Sequence, residues 1–212
     1  MHSRRIKNNW HIIKGQPLTE LDKKVLYFQN KGHLVPSRKL IKTAEQIEGI
    51  RRSSVVNTGV LDLIAKEIKA GMSTAEIDKL VYDYTVSHGA IPAPLNYEGF
   101  PKSVCTSVNE VVCHGIPSED EILEEGDIIN VDVSTILDGY YSDASRMFVI
   151  GKTTPEKEKL VRVTKSVSKL ACRQRNRSVL SVISAMHPTP CGEERLFCRP
   201  RFMWSWCRIG IS

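Results

Sequence analysis

Residues 126–150 read GDIINVDVSTILDGYYSDASRMFVI, and this stretch decides the fold. Asp138-Gly139 is the strongest hairpin signal in the chain, because Asp and Gly accept the positive φ angles of a two-residue turn. The residues on its two sides, 127–133 and 141–150, have the composition of strands. The sequence therefore predicts an antiparallel hairpin.

The turn also sets which residues face each other across the hairpin. If Asp138 and Gly139 form the loop, directly opposed positions sum to 277 (138 + 139), so Asp132 faces Ser145 and Asp143 faces Ser134. Side chains alternate along a strand, so the two aspartates are diagonal neighbours on one face, roughly 7 Å apart. Such carboxylates can repel each other, share a proton or bind metal. Two divalent ions about 4 Å apart, the arrangement of two-metal hydrolases, fit this pair best.

Geometry alone leaves a second interpretation open. Asp143 could be a solvent-facing residue at a strand end, and Asp132 could cap a turn. Against this, Asp132 interrupts the apolar strand 128–133, where a charge is costly unless it is paired or bound to metal.

Two capping boxes predict helices before the hairpin. Thr43-x-x-Gln46 opens the first and Ser73-x-x-Glu76 the second, and Gly71 and His88-Gly89 end them. The predicted inward positions are Ile47, Ile50, Leu61, Ile64, Ala65 and Ile68 in the first helix, and Ile77, Leu80, Val81 and Tyr84 in the second.

Further elements complete an α+β layout. Residues 103–108 and 111–114 predict another hairpin, and Pro155 opens a final helix. His114 ends this earlier hairpin, where it can reach a neighbouring site. The alternative is a histidine whose hydrogen bonds are satisfied at a strand end.

Composition excludes several classes of protein. The chain has 41% hydrophobic and 25% charged residues, as ordinary globular proteins do. It has neither an apolar run of about 18 residues nor a secretory signal, so we expect a cytoplasmic protein without membrane contact. Its six cysteines are then expected to be reduced thiols.

The last 46 residues differ from the rest. Residues 1–166 hold 22 basic and 22 acidic residues, whereas residues 167–212 hold 8 and 2, so this tail carries the whole net charge of +6. The tail is rich in Arg and Cys and lacks helical or strand periodicity. Either it is a genuine basic appendage or a reading-frame slip has produced it, and the slip is favoured. Cysteine spacings of 191–198 and 198–207 match no zinc site.

The chain therefore divides into three segments. Residues 1–40 form a polar N-terminal extension, with 31–36 expected to be extended. Residues 41–166 form the body with regular helix and strand patterns, and residues 167–212 form the aberrant tail, which is expected to be poorly ordered.

Three runs closely resemble type I methionine aminopeptidases: NYEGFPKSVCTSVNEVVCHGIP (96–117), GDIINVDV (126–133) and DGYYSDASRMF (138–148). The resemblance covers residues 40–164. It implies the first half of a pita-bread fold, in which two related α/β halves surround two divalent ions (Co, Mn, Fe or Zn). It also implies a monomeric enzyme that removes the N-terminal methionine of nascent polypeptides, with the ribosome as a further candidate partner.

The resemblance implies a role for each matching residue. Asp132 and Asp143 fall on the family's first two metal-ligating aspartates, and His114 on the histidine that contacts the substrate amide and stabilises the transition state. The methionine pocket is implied at Tyr97, Phe100 and Cys105, with Phe100 where many members have Tyr.

The family's other ligands, one His and two Glu, come from the second half. The tail does not match that half: where a Gly-His-Gly segment is expected, residues 202–211 read FMWSWCRIGI. The chain by itself is therefore expected to be inactive. Two alternatives stay open, namely another pita-bread enzyme such as a proline-specific peptidase, and a non-catalytic pita-bread protein whose basic tail binds RNA or the ribosome.

Overall fold

A computed structural model describes residues 10, 12, 15–32, 35 and 41–174. The chain divides into two compact units, Met1–Ile47 and Glu48–Ser212. Within the described ranges, no helix has the length and apolar character needed to cross a membrane.

The first unit contains a helix that the sequence analysis missed. Helix α1, Glu20–Asn30, begins with a reciprocal capping box: the Asp22 N–H donates to the Thr19 hydroxyl at 3.2 Å, and the Thr19 N–H donates to Asp22 Oδ2 at 2.9 Å. The indole of Trp10 donates to the other oxygen of Asp22 at 3.0 Å. Lys31 and Gly32 form a turn after the helix, so the prediction of extended chain is wrong there. Most of the remaining residues to 40 lie outside the described part.

Two capped helices follow as predicted. Helix α2 spans Ala44–Glu67 and helix α3 spans Thr74–Ser87. Thr43 and Gln46 make the predicted reciprocal bonds, and so do Ser73 and Glu76. Helix α2 ends before the predicted Gly71, whose N–H instead donates to the Leu123 carbonyl at 2.8 Å.

The buried faces of these helices match the prediction with two exceptions. Ile77 and Val81 of α3 and Leu61 and Ile64 of α2 are fully or almost fully buried. Ile47 and Ala65 are exposed. Polar side chains occupy part of the buried α2 face instead, at Ser53 and Asn57.

The sheet is built around one central strand. Strand β1 is Ile91–Pro92, β2 is Cys105–Val108, β3 is Ile128–Leu137 and β4 is Tyr140–Val149. All pairings are antiparallel: β4 covers one edge of β3 along its whole length, while β2 and β1 share the other edge. Asp138 and Gly139 form the predicted turn, with φ angles of 52° and 79°.

The two faces of the sheet differ. Ile129, Val131 and Val133 point to the helices and are 0% exposed, in a core with Val60, Ile64, Ile77 and Val81. The opposite face carries the two predicted metal-binding aspartates. A final helix, α4, spans Pro155–Gln174 and so extends beyond residue 166.

The predicted hairpin of residues 103–114 is wrong in its second half. Only 105–108 form a strand, and they pair with β3. The chain leaves the sheet at Asn109, where φ is +51°, and residues 111–114 are not a strand. Val112 is 65% exposed, so its apolar side chain is not buried against the rest of the protein.

We predict that Gly49 is required where α2 crosses the hairpin. An added Cβ would overlap the Tyr140 ring close to its attachment point, so Gly49→Ala should destabilise the protein by about 1–3 kcal/mol. At Gly59 the added Cβ meets the hydroxyl end and the ring edge of Tyr84, far from the attachment point of that side chain. Gly59→Ala should therefore destabilise the protein less than Gly49→Ala, since alanine also favours the helix. Urea unfolding of both variants tests this, and equal effects would contradict it.

Candidate metal centre

The register of the β3–β4 hairpin brings the two predicted carboxylates onto one face. Asp132 pairs with Ser145 and Asp143 with Ser134, as the turn position predicts. Asp132 lies within β3 and does not cap a turn. On its other side, Asp132 pairs with Cys105 of β2. Asp132 therefore stands at the centre of three strands.

The two carboxylates differ in their surroundings. Asp143 is exposed, and the Ser134 hydroxyl donates to its Oδ1 at 2.9 Å. Asp132 is half-buried, and its Oδ1 is buried without a hydrogen-bond partner among the described residues. Burial, then the charge of Asp143 and a hydrogen bond with it, raise the pKa of Asp132 to about 7. An anionic oxygen in such a place needs a cation or a proton.

These features fit part of a metal shell. Two neighbouring carboxylates supply the hard oxygen ligands that divalent cations take, and the unpartnered oxygen of Asp132 is free to coordinate. Within residues 41–174 and the described part of the first unit, no three His, Cys, Asp or Glu side chains converge as metal ligands do. Further ligands must therefore come from elsewhere.

Cys105 borders the carboxylates as a neutral thiol. It is buried, and burial raises its pKa to about 12, with Asp132, Cys113 and Asp143 adding to the effect. A thiol with this pKa stays protonated at neutral pH and is a weak nucleophile. Cys105 is therefore suited to line the site and not to act as a nucleophile.

His114 lies on a loop that is fixed to the free edge of β2. The next residue, Gly115, accepts a hydrogen bond from the Thr106 N–H at 3.0 Å and donates to the Ser107 hydroxyl at 3.2 Å. A Cβ at Gly115 would overlap the Thr106 carbonyl oxygen. His114 itself has a positive φ of 57° and is exposed.

The alternative interpretation of His114 does not describe this structure. Its imidazole makes no hydrogen bond within the described part of the chain, so it is not a satisfied strand-end histidine. Its predicted catalytic role stays a prediction, because no contact joins it to Asp132 or Asp143.

The remaining predicted pocket residues lie in the segment after β1. Ala93 donates its N–H to the Ser134 carbonyl at 2.9 Å, which fixes the start of this segment to β3, on the edge away from β4. Tyr97, in the 3₁₀ turn Tyr97–Gly99, is 68% exposed, and Phe100 is half-buried. Their role as pocket walls stays a prediction. The sequence analysis gave Ser134 no role, although it predicted that Ser134 faces Asp143. Its hydroxyl donates to that carboxylate.

Comparison with known proteins gives a consistent result. The model of metallopeptidase family M24 matches residues 48–179. Methionine aminopeptidase A of Synechocystis is 48% identical over 125 residues, which cover 59% of this chain and 49% of that protein. Methionine aminopeptidase of Escherichia coli K12 is 47% identical over 134 residues, which cover 63% of this chain and 51% of that protein.

Solved structures agree. The crystal structure of methionine aminopeptidase from Rickettsia prowazekii superposes with a TM-score of 0.60 at 43% identity, over 62% of this chain and 52% of that one. The predicted α+β fold, the first half of a pita-bread architecture, is therefore confirmed. The chain spans about half the length of the curated relatives it matches. The family match also continues past the composition change at residue 167.

We predict a pH-dependent penalty from Asp132 in the metal-free protein. Its pKa of about 7 in the folded chain lies above the ordinary value of 3.8, so its ionisation opposes folding as pH rises through that interval. Asp132→Asn should therefore stabilise the protein at pH 8 by up to roughly 4 kcal/mol and have little effect near pH 4. Urea unfolding with a chelator present measures this. A stabilisation equal at both pH values would contradict the prediction.

Proposed function

This chain belongs to metallopeptidase family M24, and from that premise we propose that it carries the first half of a methionine aminopeptidase, which removes the N-terminal methionine of nascent polypeptides. The observation that supports the proposal most is the placement of Asp132 and Asp143 on one sheet face, with a buried, unpartnered oxygen on Asp132. The identity of nearly half to curated methionine aminopeptidases supports this choice of substrate class.

Asp132 and Asp143 would hold two divalent cations, with Co, Mn, Fe and Zn as the candidates. When bound, such cations polarise the scissile carbonyl and lower the pKa of a water molecule. His114 would donate a hydrogen bond to the charge that develops on the substrate, from a loop that Gly115 fixes to β2.

The methionine side chain would lie against Tyr97, Phe100 and Cys105. A neutral, buried thiol and two aromatic rings would together give a surface that suits a flexible thioether. We further propose that the complete enzyme is cytoplasmic and monomeric and meets its substrates at or near the ribosome.

The 212-residue chain alone is proposed to be inactive. The described residues supply two carboxylates and no third ligand that converges on them. Residues 202–211 also lack the Gly-His-Gly segment that the resemblance leads one to expect. We keep the proposal that a reading-frame slip produced the tail, whose residues beyond 174 lie outside the described part.

We predict that the 212-residue chain releases no methionine from the peptide Met-Ala-Ser when Mn, Co, Fe or Zn is supplied. Two carboxylates leave most of each cation's ligands to water, so calorimetry should also show no saturable tight metal binding. Mass spectrometry must confirm the intact tail. Metal-dependent release near the rate of the Escherichia coli relative would contradict this.

We predict separable effects in a completed enzyme, made by joining residues 1–164 to the remaining half of the Escherichia coli relative. Asp143→Asn should lower metal content and peptidase activity together. His114→Ala should keep the metal and lower kcat by about 100-fold or more, because it removes a donor to the developing charge.

Ser145→Ala is the matched control, since Ser145 lies opposite Asp132 on the same face. It should keep both metal and turnover. Normal turnover in Asp143→Asn would refute the metal assignment, and metal loss in His114→Ala would make the histidine a ligand.

A further inference from the structure

A buried polar cluster lies beneath the candidate metal centre, on the helix-facing side of the sheet. It consists of Ser53 and Asn57 of α2 and Thr135 and Ser142 of the hairpin, and we call it the polar clamp. Three of these residues are at most 1% exposed, and Ser142 is 7% exposed. The Ser142 hydroxyl lies 2.9 Å from Ser53 Oγ and 2.7 Å from Thr135 Oγ1.

Asn57 contacts both strands of the hairpin. Its Nδ2 donates to the Val133 carbonyl at 2.6 Å and lies 3.4 Å from the Ser142 carbonyl. Val133 directly follows Asp132 in the chain, and Ser142 directly precedes Asp143. One amide group therefore binds the backbone beside each of the two carboxylates.

The register places these two carbonyls on either side of the Ser134–Asp143 pair. The Ser134 carbonyl accepts from Ala93, on the edge away from β4, so Ser134 and Asp143 are a pair without mutual backbone hydrogen bonds. The two cross-strand hydrogen bonds that flank this pair then have the Val133 and Ser142 carbonyls as acceptors. Because Asn57 donates to the same two carbonyls, it holds the backbone that carries the Asp143 side chain.

The amide of Asn57 has a feature that stability alone does not explain. Its Oδ1 is buried and has no hydrogen-bond partner in the described part of the chain. An unpaired buried acceptor costs free energy, which an apolar side chain of similar size would avoid. The donor group of Asn57, directed at the two carbonyls, is what distinguishes it from such a side chain.

We propose that Asn57 is a positioning residue for the Asp132–Asp143 pair, acting through the Val133 and Ser142 carbonyls with the rest of the polar clamp. The inference rests on the proposed function only in assigning metal binding to the pair. The placement of the two carboxylates can be tested without metal or peptide.

The test replaces Asn57 and follows the pairing of the two strands. In the chelator-treated 212-residue chain, NMR cross-peaks between α-protons are measured for the pair Ser134–Asp143 and for the pair Asn130–Met147, which lies further along the same hairpin. In the parent, both cross-peaks should be strong, because neither pair has mutual backbone hydrogen bonds. Asn57→Leu removes the donor and the unpaired acceptor at similar volume. It should weaken the Ser134–Asp143 cross-peak by about twofold or more and leave the Asn130–Met147 cross-peak unchanged, which shows that the hairpin stays formed.

Ile64→Ala is the matched control, because Ile64 is a fully buried residue of the same helix and lies outside the polar clamp. It should destabilise the chain and leave both cross-peaks unchanged. If Asn57→Leu does not fold, Asn57→Ser, with a shorter side chain, should weaken the Ser134–Asp143 cross-peak in the same way.

An unchanged Ser134–Asp143 cross-peak in the folded Asn57 variant, or equal weakening of that cross-peak in Ile64→Ala, would overturn the proposal. A failure of peptide hydrolysis in the completed enzyme would instead refute the proposed function. The two failures are therefore distinguishable.

Discussion

The register of the β3–β4 hairpin is the constraint on which the rest of the structure depends. A two-residue turn at Asp138 and Gly139, both at positive φ, opposes Ser134 to Asp143 and Asp132 to Ser145. A slip of one residue would move every side chain of a strand to the other face. Asp132 would then enter the helix-covered core, and the valines beside it would face outward, so burial and charge select the same register.

The two faces of the hairpin have separate physical roles. The helix-facing side buries Ile129, Val131 and Val133 in the core and hydrogen-bonds Asn57 to two hairpin carbonyls. On the opposite side, burial and then the nearby charge of Asp143 raise the pKa of Asp132 to about 7. Apolar burial thus stabilises an arrangement of carboxylates that is unfavourable by itself and that a bound cation would relieve.

The elements with short-range signals could be predicted from the sequence. The turn residues and both capping boxes act over a few residues, so they gave the hairpin register and the starts of α2 and α3. The path of residues 111–114 could not be predicted, because it depends on the hydrogen bond that Gly115 accepts from Thr106 of β2. Val111 and Val112 favour a strand locally but have no partner strand.

The candidate site was predictable where it depends on the position of the turn. The hairpin register places Asp132 and Asp143 on one face, and it also places Ser134 opposite Asp143. Asn57 could not be found in this way, since a polar residue on a helix gives no sign of its burial or of the carbonyls it contacts. Helix α1 was missed because its capping box, Thr19-x-x-Asp22, has Asp at the position where Glu or Gln is typical.

The most direct test of the account is the pairing of the carboxylate strands in solution. In a pair without mutual backbone hydrogen bonds the α-carbons approach to about 4.5 Å, so their α-protons give strong NMR cross-peaks. The account predicts such cross-peaks between Asp132 and Ser145 and between Ser134 and Asp143. Strong α-proton cross-peaks from either aspartate to a residue one position away would show a shifted register. The carboxylates would then lie on opposite faces, and the metal centre would not exist.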